Sequence, residues 1–125
     1  MTIAELTRVT SESFCYLTTT GRRRGRDHTI EIWFATDGDV VFMISGGSDG
    51  SDWVRNLQAD AQCRIRIADV RLDATARLPL ADGPERDRAV ELLHAKYATQ
   101  VSSSAARWRH DGFIVAFDLA SAPAD

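Results

Sequence analysis

Four arginines, Arg22, Arg23, Arg24 and Arg26, crowd around Gly21 and Gly25 between two strand-like stretches. Guanidinium groups bind phosphate and carboxylate through a planar fork and do not lose their proton. Further along, Gly46-Gly47 leads into a helix expected to begin at Ser51. Glycines let backbone approach a ligand closely, and a helix start offers unpaired N–H groups and the positive end of a dipole. Taken alone, the arginine run reads as a solvated hairpin tip. The second anion-friendly element shifts that balance, because the two brought together would grip a multiply charged anion. A lone exposed ion pair contributes at most about 1 kcal/mol, whereas charge-assisted bonds are roughly twice as strong as neutral ones. Apolar and aromatic residues between the two elements could cover a flat ring. The combination reads as a site for a phosphate-bearing cofactor.

The strand between them alternates. His28, Ile30, Ile32 and Phe34 are expected to face the core, with Thr29, Glu31 and Trp33 toward a cleft or an interface. Trp33 is then either a stacking partner for a ring or an aromatic at a surface or dimer contact. Glu31 reads as a solvated or paired carboxylate rather than a catalytic acid. Trp53 reads as core, and Asn56, three residues on, either holds the adjacent loop or reaches a ligand. His28, His94 and His110 have no partner at metal-ligand spacing, and no serine, histidine and acid grouping suggests a hydrolase. Neither the P-loop nor the dinucleotide-binding glycine pattern is present. Arg107-Trp108-Arg109-His110 reads as helix-end decoration rather than an RNA platform.

The elements that must position these groups fit one domain of 125 residues, 44% of them apolar. A net charge of -3 argues against a general nucleic-acid binder. Basic residues are almost all arginine, with Lys96 the single lysine. Cys15 and Cys63 lie in strand-like runs and are expected to be free and buried, as in a reducing compartment. No run approaches the roughly 18 apolar residues of a membrane span, and no signal-peptide core is evident, so a cytoplasmic protein without stable membrane insertion is expected. Strands are predicted over residues 14–20, 28–35, 40–45, 63–68, 72–78 and 113–117, the first three as a meander whose first connection is the arginine loop. Ser51 is placed to cap one helix. Pro84 opens another, which runs to about Tyr97 and buries Ala89, Val90, Leu93 and Tyr97. The expectation is an α+β domain: a small barrel of about six mostly antiparallel strands with two or three helices.

The succession TTTGRRRG, IEIWF, a DG turn, ISGG and SDWVRNL, over residues 14–67, resembles the deazaflavin-dependent nitroreductase and quinone reductase family of actinobacteria. These are split β-barrel proteins related to the pyridoxamine phosphate oxidase-like flavoproteins. The resemblance implies coenzyme F420 as cofactor, with FMN as the alternative, and an electrophilic small molecule (quinone, enone or nitro compound) as electron acceptor. It implies that Arg22, Arg23 and Arg24 hold the phosphate and polyglutamate tail, and that His28, Thr29, Ile30, Glu31, Ile32 and Trp33 lie along the deazaflavin. It further implicates Met43, Ile44, Ser45 and Gly46, and Asp52, Trp53 and Asn56. A homodimer is expected, since split barrels commonly pair. The chain carries Glu31-Ile32-Trp33 where many members have proline-leucine-tyrosine, and no catalytic acid is assigned. A non-catalytic module that binds or stores a cofactor is the reading from another class.

Overall fold

The computed structural model describes residues 3–45, 50–97 and 112–120. In chain order these form α1 (Ile3–Val9), β1 (Cys15–Thr20), β2 (Asp27–Ile32), β3 (Ala35–Asp37), β4 (Val40–Ser45), α2 (Asp52–Ala59), β5 (Gln62–Ile67), β6 (Val70–Arg77), α3 (Pro84–Tyr97) and β7 (Phe113–Leu119). All the strands join one antiparallel sheet in the order β2-β1-β5-β6-β7-β4-β3.

Chain connectivity forces this sheet to curl. Its two edge strands, β2 and β3, are separated by only Trp33 and Phe34. Three residue steps span at most about 11 Å, whereas the edges of a flat seven-stranded sheet lie roughly 29 Å apart. The edges must therefore come together, giving the expected α+β barrel-like fold. The strand count differs for the same reason. Residues 28–35, expected as one strand, divide at Trp33-Phe34 as the chain passes from one edge to the other. The expected three-strand meander is replaced by two hairpins: β2 pairs with β1, and β4 lies between β3 and β7. The third helix is α1, in a stretch where no element was expected.

Two apolar clusters fill the two sides of the sheet. The first gathers Leu17, Ile65, Leu72, Val115 and Phe117 with Leu6 and Val9 of α1 and Leu57 of α2. The second seats Ala89, Val90, Leu93 and Tyr97 of α3 on Ala35, Phe42, Ile114 and Ala116. Within β4, Val41 and Met43 belong to the first cluster and Phe42 to the second, so that strand is covered on both faces. This accounts for its unbroken apolar run, since only a strand buried on both sides needs one. In β5 and β6 buried and exposed residues alternate strictly, because their outer face meets solvent. Arg77 of β6 bonds Glu85 at 2.7 Å and Asp118 at 2.7 Å, tying α3 and β7 to the sheet. Both cysteines are free and buried, as expected.

Candidate functional site: an arginine-lined cleft

The β1–β2 hairpin ends in a closed loop. Gly21 N donates to Arg26 O at 2.7 Å, and Gly25 N donates to Gly21 O at 2.9 Å, with Gly25 at φ +70°. Such a φ is open to glycine at no steric cost. Gly21 is needed for space instead. A Cβ there would lie 2.7 Å from His28 Nε2 and 2.9 Å from the Arg26 carbonyl oxygen. His28 thus lies across the base of the loop, exposed, and not toward the core as alternation implied. The outermost turn of an edge hairpin has no core beneath it.

Asn56 joins this loop to α2. It is 2% exposed, and its amide is used at both ends. Its Oδ1 accepts from Arg22 Nη1 at 2.8 Å and from Arg22 N at 3.3 Å. Its Nδ2 donates to Thr19 Oγ1 at 3.1 Å, itself buried. Arg22 Nη2 reaches Asp52 Oδ1 at 3.2 Å in the first turn of α2. Of the two sequence alternatives for Asn56, the geometry has it holding the loop. Gly21, Arg22, Arg23, Arg24, Arg26, His28, Asp52 and Asn56 line one cleft of about 470 Å³. The arginine loop and the start of α2 therefore face one another. Arg23, Arg24 and Arg26 are exposed, with no side-chain partner among the described residues. Arg26, named with the loop from sequence, and Thr19, which the sequence does not single out, complete the arrangement. Arg26 was legible as part of the run, whereas nothing marks Thr19 among three consecutive threonines.

Other expected site residues lie elsewhere. Thr29 shares a hydrogen bond with Thr18 Oγ1 at 2.8 Å and lines a separate groove with Tyr16, Arg64 and Arg66. Glu31 is exposed and sits opposite Tyr16 in the β1–β2 register. Ile30, Ile32 and Trp53 are half-buried against the first cluster, and Ile44 against the second. Met43 is fully buried. Ser45 is buried and shares a hydrogen bond with Ser51 Oγ at 2.6 Å. Ser51 stands at the N-cap of α2 without making a side-chain cap bond. Gly46 and Gly47 lie outside the described residues, as do Arg107, Trp108, Arg109 and His110.

Trp33 belongs to the sheet's seam. Its ring stacks on Tyr97 with centroids 4.3 Å apart and planes at 2°, so one face is already covered. The expected alternation stops at Ile32 because the strand does. Tyr97 OH accepts from Phe34 N at 3.0 Å and lies 2.9 Å from Ser13 O. Lys96 Nζ donates to Thr10 O at 2.9 Å and Phe34 O at 3.0 Å, 3.5 Å from the Phe34 ring centroid. Burial lowers the Lys96 ammonium to about 8, against a smaller pull from Cys15 and Glu12. Burial likewise raises the Tyr97 hydroxyl to about 12 and the Cys15 thiol to about 12. The described residues contain no cluster of histidine, cysteine and acids able to hold a metal, and no helix long and apolar enough to cross a membrane.

A curled antiparallel sheet with helices packed on it is the split-barrel fold found in flavin and deazaflavin proteins, and the basic cleft lies beside one of its strands. Residues 4–109 match the F420H(2)-dependent quinone reductase family, and the chain belongs to that family and is an oxidoreductase. It is similar to a solved F420-H2 dependent reductase (FDR-A), with 23% identity, a TM-score of 0.65, and 87% of this chain and 95% of that chain covered. A structure described as a domain-swapped dimer matches at 22% identity and a TM-score of 0.66, covering 94% and 92% of the two chains. An FAD-binding protein from Mesorhizobium loti matches at 12% identity and a TM-score of 0.71, covering 97% and 91%. At these identities the structural matches show the fold.

Proposed function

We propose that this protein transfers a hydride from reduced coenzyme F420 to an electrophilic small molecule such as a quinone, an enone or a nitro compound. The observation that carries the reading is the arginine cleft: four guanidinium groups and one imidazole line a single crevice closed by α2. That donor set suits the phosphate and carboxylates of the F420 tail, because guanidinium forks match both groups. When bound, the deazaflavin supplies the hydride; the protein supplies position and electrostatics. Arg23, Arg24 and Arg26 hold the tail from the exposed rim. Arg22 and His28 form the wall nearest β1, and Asn56 keeps Arg22 aimed into the cleft. Met43 and Ser45, being buried, act from beneath by packing. Trp33, with one face on Tyr97, fixes the seam.

The test is a parallel fluorescence titration of the purified protein with F420, FMN and haem, followed by turnover of reduced F420 across a panel of quinones, enones and nitroaromatics. Selective F420 binding with turnover is expected. Preference for FMN would sink the assignment, and tight F420 binding without turnover on any acceptor would point to storage. We also propose a homodimer, since a domain-swapped dimer shares the fold. Light scattering after size exclusion tests that, with twice the 13.8 kDa chain mass expected.

A further inference from the structure

Asp52 is the one acidic side chain among the described residues lining the arginine cleft. An acid is the wrong charge to hold an anion, yet it is placed directly on the arginine that faces inward. Arg22 Nη2 lies 3.2 Å from Asp52 Oδ1, while Nη1 of the same guanidinium lies 2.8 Å from Asn56 Oδ1. Each outer nitrogen of the fork therefore has one of its two N–H groups engaged, and the Nη2 edge that meets the open cleft is shared with Asp52. The two contacts differ in permanence. Asn56 is buried and fixed by its further bond to Thr19. The Asp52 side chain is 88% exposed, whereas that of Arg22 is 24% exposed. An ion pair so open to water is weak, and Arg22 is the only partner this carboxylate has among the described residues.

From this geometry we infer that Asp52 is an internal counter-anion that sets the charge selectivity of the cleft. Resting on the F420 reading, it holds the place on Arg22 that the ligand's anionic group takes. The incoming group displaces Asp52 from Nη2, and the Asn56 contact at Nη1 serves as the pivot. The displaced carboxylate stays at the mouth, where it repels each further negative charge. Its effect is to weaken highly charged anions more than singly charged ones, so that affinity rises less steeply with ligand charge than four arginines alone would dictate.

The experiment compares wild type, Asp52→Asn and Asp52→Glu. F420 binding is followed by fluorescence, and inorganic phosphate and pyrophosphate binding by calorimetry, with thermal melts as folding controls. Asp52→Asn is expected to bind F420 and pyrophosphate about two- to fivefold more tightly at low salt, the scale set by one exposed pair. The gain should be larger for pyrophosphate than for phosphate, absent in Asp52→Glu, and lost in about 1 M salt, where the screening length is near 3 Å. Unchanged or weaker pyrophosphate binding in Asp52→Asn, with a normal melt, overturns the inference, as does failure of either protein to bind any of the three probes. A pyrophosphate gain without F420 binding by either protein supports the role of Asp52 while removing the F420 assignment.

Discussion

Replacing Asn56 with alanine tests the join between the arginine loop and α2. The variant loses the bond to Thr19 Oγ1 at 3.1 Å, the bond from Arg22 Nη1 at 2.8 Å and the longer one from Arg22 N at 3.3 Å. A neutral buried bond contributes about 1 kcal/mol net and one to a charged donor about 1.5 to 3 kcal/mol. The lower end suits Arg22, whose side chain is 24% exposed, so a loss of roughly 2 to 3 kcal/mol is expected. For a domain of this size each kcal/mol shifts the melting midpoint by about 3–5 °C, so the midpoint should fall by about 6–15 °C. Affinity for F420 should fall about three- to tenfold, because Arg22 loses the acceptor that aims it. Differential scanning calorimetry and fluorescence titration on the same preparations give both numbers. Asn56→Asp separates the two bonds, retaining an acceptor for Arg22 but no donor for Thr19, and should melt low while keeping more of the affinity. An Asn56→Ala variant with wild-type melting and affinity would refute the join.

Four further outcomes follow. Arg23→Ala/Arg24→Ala removes two exposed side chains without described partners, so stability should stay within about 0.5 kcal/mol, while F420 binding should weaken at least tenfold at low salt, less at high salt; unchanged affinity would return the loop to a solvated tip. Tyr97→Phe strands the buried Phe34 N–H and should destabilise by about 1 to 3 kcal/mol, seen by denaturant melts, with F420 affinity unchanged. In alkaline solution the Cys15 and Cys63 thiols, raised by burial from 9.0 to about 12, keep protons that the unfolded chain releases. Stability should therefore fall as pH rises above about 9, and Cys15→Ala/Cys63→Ala should flatten that slope in urea titrations. Lys96, lowered from 10.5 to about 8, works with the opposite sign between those values, so Lys96→Met should steepen the alkaline loss.

Local pattern carried much of this fold. The alternation in residues 63–68 and 72–78 and the helical spacing of Ala89, Val90, Leu93 and Tyr97 are direct signatures of one-sided burial, and the structure buries these residues accordingly. The break at Trp33-Phe34 was not legible, because it is imposed by the distant pairing of β3 with β4 and of β2 with β1 rather than by any local breaker. Trp33 departs from the expected alternation for the same reason, since the strand ends at Ile32, whereas His28 departs because the outer turn of an edge hairpin has no core beneath it. In the cleft, residue type sufficed to find Arg22, Arg23 and Arg24. The opposition of Asp52 to Arg22 was hidden, since it depends on how the loop and α2 meet. The sequence places Ser51 to cap α2, but its hydroxyl bonds Ser45, a partner six positions away that no local pattern marks.

The passage from β2 to β3 acts on the barrel as a hoop acts on staves. Trp33 and Phe34 are a covalent tether across the place where the wrapped sheet would otherwise open, and Lys96 and Tyr97 fasten that tether to the long helix outside. The circumference is thus set by how few residues cross the gap, and splicing extra residues there would slacken the whole wall while leaving every other strand pairing formally possible.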